Sequence, residues 1–282
     1  MRSLGRAIKD FSADDMLVYA AAISYQLFFS LFPFVIFLLA LLGVLDLTSF
    51  FDWLVKQSQT VLPGQASGLV QNIIGQIRGQ GASGALSLGA VLALWSASAA
   101  VRMAMHALNV AYDVEDQAVW KKFPLSIIYT VLLTVLVIAA AALMLIGPQL
   151  ATWIAQQVGI GSVFATVWTW ARIPMAVVLL ILVAALVYYL FPNTDQPFRF
   201  VTPGAVFTVI VWVLASLGFS WYVANFANYN ATYGALAAVI VLLFYFFISA
   251  AIMLLGAELN SEISRQAAEG GDEGEKRTSE GS

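Results

Sequence analysis

The sequence predicts an all-α, polytopic membrane fold with six transmembrane helices and additional amphipathic interfacial or outer helices. Three observations predict it. Of 282 residues, 61% are hydrophobic and 10% charged, against roughly 45–50% and about 25% in ordinary soluble domains. Mean hydropathy is +0.86. A water-soluble fold must still present a polar skin, and this composition leaves too little to make one. Second, six runs reach the roughly 20 predominantly apolar residues that carry a helix across a bilayer core: 23–45, 85–108, 125–146, 173–191, 203–226 and 233–257. Third, these runs are continuous and rich in Leu, Ala and Val, without the alternation of a membrane barrel strand.

Leu4, Ala7, Ile8 and Phe11 recur at helical spacing opposite Arg2, Arg6 and Lys9, the pattern of a short helix lying on the inner leaflet. The first apolar run exceeds the about 7–15 residues of a signal h-region, so it reads as a retained helix. Ser24, Tyr25 and Gln26 open that span, and Pro33 removes a backbone hydrogen bond within it, which predicts a kink and a candidate hinge. Ala66, Leu69, Val70, Ile73, Ile74 and Ile77 mark an amphipathic outer helix, and Leu150, Ile154 and Val158 hint at another. Before the sixth span, Asn225, Asn228, Asn230, Tyr233 and Gly234 form a polar outer turn, where Gly234 frees the backbone. After Glu262 the composition turns to Gly, Ser, Glu and Lys, which predicts a disordered tail. The organisation is therefore a cytoplasmic amphipathic helix over 1–22, a six-helix membrane domain over 23–261 and a tail over 262–282. With both termini cytoplasmic, nine Lys and Arg residues flank the spans inside and three outside, with Arg102 inside a span.

Several function classes fall away. The net charge of −3 argues against nucleic acid as a partner. With no cysteine and one histidine, the chain offers no thiol nucleophile, zinc cluster or iron–sulfur set, and no metal or cofactor is expected. No Gly-rich Lys-Ser/Thr phosphate loop occurs, and no Asp or Glu lies at the centre of a span. Asp113, Glu115 and Asp116, followed by Lys121 and Lys122, read as solvated charge balance. No covalent catalysis is expected.

The second span carries the clearest polar signal. Trp95, Ser98, Arg102, His106, Asn109 and Asp113 fall every three or four residues, within one stripe of a helix. Ionisable groups at bilayer depth cost at least a few kcal/mol unless paired or watered, so the stripe should face the bundle interior. Two readings of Arg102 stay open: the wall of a polar cavity that meets an anionic group, or an anchor paired with a carboxylate and carbonyls. Glu258, at the same end of the sixth span, is the candidate partner for Arg102 or His106.

Three blocks resemble the BrkB/YihY family of bacterial integral membrane proteins. They are Ser24-Tyr25-Gln26-Leu27-Phe28-Phe29-Ser30-Leu31-Phe32-Pro33; Trp95-Ser96-Ala97-Ser98 leading to Ala107-Leu108-Asn109-Val110-Ala111-Tyr112; and Ala231-Thr232-Tyr233-Gly234-Ala235-Leu236-Ala237 with Leu254-Leu255-Gly256-Ala257-Glu258-Leu259-Asn260. Tyr25, Trp95, Asn109, Tyr233, Gly234 and Glu258 match the family's motif positions, whereas Arg102 and His106 rest on spacing alone. The resemblance implies a six-helix inner-membrane protein tied to envelope physiology. It also brings the name of a tRNA-processing ribonuclease, for which this chain supplies no metal cluster or basic groove. The resulting expectation is a transporter or lipid translocator whose cavity uses Tyr25, Gln26, Ser98, Arg102, His106, Asn109 and Glu258, with Pro33, Trp95, Tyr233 and Gly234 in structural roles. A non-transporting envelope scaffold is the alternative. The expected partners are membrane lipid and an anionic or amphiphilic small substrate, and a homo-oligomer is compatible with this reading.

Overall fold

The computed structural model describes residues 2–44, 83–145, 161–194, 200–226 and 235–280. Among these residues the secondary structure is seven helices with no strand: α1 (Arg2–Ala13), α2 (Met16–Val44), α3 (Ser83–Ala111), α4 (Val119–Leu145), α5 (Gly161–Leu190), α6 (Pro203–Phe226) and α7 (Ala235–Glu280). Six are long and apolar enough to cross a membrane: Met16–Phe34, Leu88–Ala111, Val119–Ala140, Trp170–Leu190, Pro203–Ala224 and Ala237–Gln266. These are the six expected spans, with the first beginning earlier and the last running further. The expected outer helices around Ala66–Ile77 and Leu150–Val158, and the turn with Tyr233 and Gly234, lie outside the described residues.

Chain neighbours pack side by side from α2 to α3, α4, α5, α6 and α7, and α7 returns to α2, so the bundle closes on itself. Its innermost seam joins α2 to α3 and α7 through small side chains. Ala20, Ala104, Ala107, Ala111 and Ala257 are fully or almost fully buried, with Met16, Met105, Leu108 and Leu254 filling between them. Lipid tails are as apolar as these side chains, so close backbone approach and dispersion hold the seam where a hydrophobic driving force is absent. Pro33 lies within α2, and the helix continues on both sides of it.

A tighter contact joins α6 to α7. A side chain added at Gly204 would collide with the Gly256 carbonyl, and one added at Gly256 would collide with the Thr208 and Tyr188 hydroxyls. The backbones meet because neither residue carries a Cβ. Around this contact the polar groups are satisfied locally. The Tyr188 hydroxyl donates to the Met253 carbonyl at 2.7 Å and lies 2.6 Å from Thr208 Oγ1. Asn260 Oδ1 accepts the Gly204 amide at 2.8 Å, and Asn260 Nδ2 donates to Thr202 Oγ1 at 2.9 Å. Thr202 in turn accepts the Ala205 amide, capping α6 ahead of Pro203 in its first turn.

α1 lies against α7 and the start of α2. Ala7 is buried and Phe11 packs on the core, while Leu4 and Ile8 stay exposed, as suits a helix resting at an interface. A two-residue turn at Asp14–Asp15 separates α1 from α2, with Asp15 in the left-handed region (φ 53°). Asp113 ends α3 in the same conformation (φ 52°), which aspartate tolerates better than most residues. Helical order also passes the tail boundary expected at Glu262. Arg6 pairs with Glu262 at 3.0 Å, Gln266 donates to Glu262 at 2.7 Å, and Ser3 donates to Gln266 at 3.2 Å. Partners on α1, which composition does not reveal, supply what this polar turn needs to stay helical.

Gly256→Val should lower the thermal midpoint of the detergent-solubilised protein, at a cost of about 1–3 kcal/mol, whereas Gly218→Ala, which meets open space, should leave it within error. Tyr188→Phe removes the hydroxyl's bonds to the Met253 carbonyl and Thr208 Oγ1, and unfolding measurements should show a loss of about 0.5–1.5 kcal/mol.

Candidate functional site

Arg102 projects from α3 toward α4. Its Nη1 donates to Ser98 Oγ at 2.8 Å and to Ser126 Oγ at 3.1 Å, and its guanidinium carbon lies 4.9 Å from the Phe123 ring centroid. The two serines are prepared for this. Ser98 donates its own hydrogen to the Trp95 carbonyl at 2.8 Å, and Ser126 gives its hydrogen to the Phe123 carbonyl at 2.7 Å. Each hydroxyl oxygen is thus left as an acceptor facing the cation. Trp95 packs edge-on against Phe123 at 5.1 Å, yet is 57% exposed on the outside of the bundle. Among the described residues no carboxylate lies within ion-pair range of Arg102. It lies nine positions before the end of α3 at Ala111, about 14 Å along the helix axis.

A second polar group surrounds Asp116, in the connection between α3 and α4. Asp116 Oδ2 lies 2.7 Å from His106 Nδ1 and 2.8 Å from Lys122 Nζ, and Oδ1 accepts Asn109 Nδ2 at 2.6 Å. Burial opposes ionisation of Asp116, but hydrogen bonds from Lys122 and Asn109, the Lys122 charge and the His106 contact outweigh it. Its carboxyl is held below the ordinary range. Asn109 Oδ1 also accepts the Asn193 amide at 2.7 Å, and Asn193 Nδ2 donates to the Glu115 carbonyl at 3.1 Å. The group therefore ties the chain after α5 to the α3–α4 connection. The Tyr19 ring meets the His106 ring edge-on at 5.5 Å.

Glu258 belongs to a third group. It is 1% exposed, and among the described residues neither of its carboxylate oxygens receives a hydrogen bond from a donor. Its charged neighbours are Asp14, Asp10, Arg265 and Asp113. Arg265 is engaged by Asp113 at 2.9 Å and also donates to Ser261 Oγ and the Ala111 carbonyl.

The residues expected to share one cavity are thus distributed among three places. Ser98 and Arg102 meet, and His106 and Asn109 meet through Asp116. Glu258 pairs with neither Arg102 nor His106. Tyr25 is exposed and packs against Phe29 at 4.5 Å, and Gln26 is partly buried. Among the described residues no hydrogen bond joins either of them to Arg102. Ser126, Phe123, Asp116, Asp14 and Arg265 are the members that sequence reasoning left out. Ser126 and Phe123 had one usable signal, their three-residue spacing near the start of the third span, at the depth of Arg102.

The family described as virulence factor BrkB matches residues 7–280. A ribonuclease-like protein, YfkH, of Bacillus subtilis (strain 168) is 35% identical over 243 residues, covering 86% of this chain and 88% of that protein. A UPF0761 membrane protein of Xanthomonas campestris pv. campestris (strain B100) is 28% identical over 273 residues, 93% of this chain and 61% of the relative. A UPF0761 membrane protein of Pseudoalteromonas translucida (strain TAC 125) is 37% identical over 79 residues, which is 28% of this chain and 26% of the relative. The chain therefore spans less than two thirds of these two UPF0761 relatives. No solved structure matches. A six-span helical bundle matched over nearly its whole length places this chain in the BrkB family of multi-pass membrane proteins.

Proposed function

We propose that the protein is an inner-membrane translocator of anionic amphiphiles, with both termini cytoplasmic and Arg102 meeting the anionic part of the cargo. One observation supports this reading above the others: a guanidinium within a span has two hydroxyls and an aromatic ring as partners, and none of them neutralises its charge. Keeping such a charge at that depth costs at least a few kcal/mol. A purely structural anchor would recover that cost best from a carboxylate. Serine oxygens position the guanidinium without cancelling it, which leaves its field available to a headgroup phosphate or carboxylate. The Lys and Arg distribution supports the orientation, since it puts Arg102 in the inner half of the membrane.

The test is reconstitution into liposomes carrying fluorescent anionic or zwitterionic lipids, with inward and outward movement followed by chemical quenching. Wild type should move the anionic lipid faster than protein-free liposomes do. Arg102→Ala should slow this by roughly tenfold or more, since losing a charge-assisted hydrogen bond costs about 1.5–3 kcal/mol. Arg102→Lys should retain part of the activity, keeping the charge while losing the planar guanidinium that lies over the Phe123 ring. Folded wild type that moves none of the tested lipids, or Arg102→Ala moving them at the wild-type rate, overturns the reading.

A further inference from the structure

We propose that Asp14 and Glu258 share one proton, making a proton-binding site between the α1–α2 turn and α7. The geometry comes first. Glu258 is fully buried on the part of α7 that α1 and the start of α2 pack against, and the Asp14 carboxyl of the α1–α2 turn is its neighbour. Yet both Glu258 oxygens are buried and, among the described residues, no protein donor reaches them. Two acceptors facing each other with no hydrogen between them is an arrangement that repels when both are charged. One added proton turns the same contact into a carboxyl–carboxylate hydrogen bond. A buried carboxylate without a donor costs several kcal/mol, and proton uptake is the ordinary way to avoid that cost.

The surroundings deny the pair another solution. From α1 and its turn, Asp10 and Asp14 face Glu258; from the end of α3, Asp113 and the Tyr112 hydroxyl do so; from α7, Arg265 does. The Tyr112 phenol is held neutral, since burial pushes its titration upward. Four carboxyls thus share one guanidinium, and Arg265 is already engaged by Asp113 at 2.9 Å. Asp14 lies outside the spans. Burial first, then Asp113 and Asp10, raise its titration above the ordinary carboxylate range. The occupant is a proton rather than a metal ion, because among the described residues no group of three His, Cys, Asp or Glu is arranged to hold a metal.

The consequence is a sign that can be measured. The native state keeps a proton that the unfolded chain gives up near pH 4. The stability it contributes is complete below that pH and is lost as pH rises through the titration of the folded pair. Buried carboxyls can keep protons up to about pH 8–9. Above that range the two charges should push the α1–α2 turn away from α7. The proton site does not depend on translocation, and its test reads protonation directly.

The experiment is infrared titration of the full chain in nanodiscs, following the carbonyl stretch of neutral carboxyl groups, together with thermal unfolding at the same pH values. Wild type should show the neutral-carboxyl band at pH about 7 and lose it toward about pH 9, with the unfolding midpoint falling over the same interval. Glu258→Gln should remove the band and flatten that fall, since an amide supplies the missing donor permanently. In Asp14→Asn the remaining carboxyl should release its proton at least about one pH unit lower, because a repelling neighbour has become a donor. The proposal is overturned if folded wild type lacks the band at pH about 7, or if Glu258→Gln retains it. It is equally overturned if Asp14→Asn leaves the titration in place, or if magnesium or calcium chloride restores the alkaline midpoint as acid does.

Discussion

Lipid offers no hydrogen-bond partner, so every polar group in a span must find its partner inside the protein. The backbone meets this demand by staying helical, and the side chains extend the same rule. Ser24, Ser30, Ser98 and Ser126 each return their hydroxyl hydrogen to a carbonyl three residues earlier, and Thr130 bonds four residues back. These local bonds do more than hide polar atoms. By spending the hydrogen within its own helix, a serine is converted into a pure acceptor on the helix surface. Ser98 and Ser126 present such oxygens to Arg102 from two different helices.

The three polar groups near one end of the bundle show three ways of meeting the same demand. Around Asp116 an anion is matched by Lys122, His106 and Asn109, and the result is a fastening between connections. Around Arg102 a cation is steadied by neutral oxygens and a ring, with its charge left in force. Around Glu258 carboxyls outnumber cations, and neutrality has to come from solution. The first arrangement is complete in itself, while the other two are incomplete until something arrives. That difference, more than polarity, separates structural groups from candidate functional ones.

The spans were legible because crossing a bilayer demands about twenty apolar residues in a row, a requirement written along the chain. The stripe from Trp95 to Asp113 was legible for a similar reason, since spacing on a single helix fixes a face. What the stripe faces was not legible. Glu258 and Arg102 lie toward the same end of neighbouring helices, yet Arg102 turns to α4 and Glu258 to the α1–α2 turn. Depth follows from position along the sequence, whereas azimuth depends on packing between distant segments. Asp116 was readable as a charge near Lys122, but its bonds to His106 and Asn109 depend on how the connection folds back over α3. The helical turn beyond Glu262 was hidden likewise, because Arg6 and Ser3 stand at the other end of the sequence.

The glycine contact between α6 and α7 has a mechanical corollary. Interlocked backbones, with the Asn260 side chain of α7 bonded to the Gly204 amide and the Thr202 hydroxyl, resist twisting about either long axis, like a keyed shaft. Any breathing of the bundle is thereby steered away from that join.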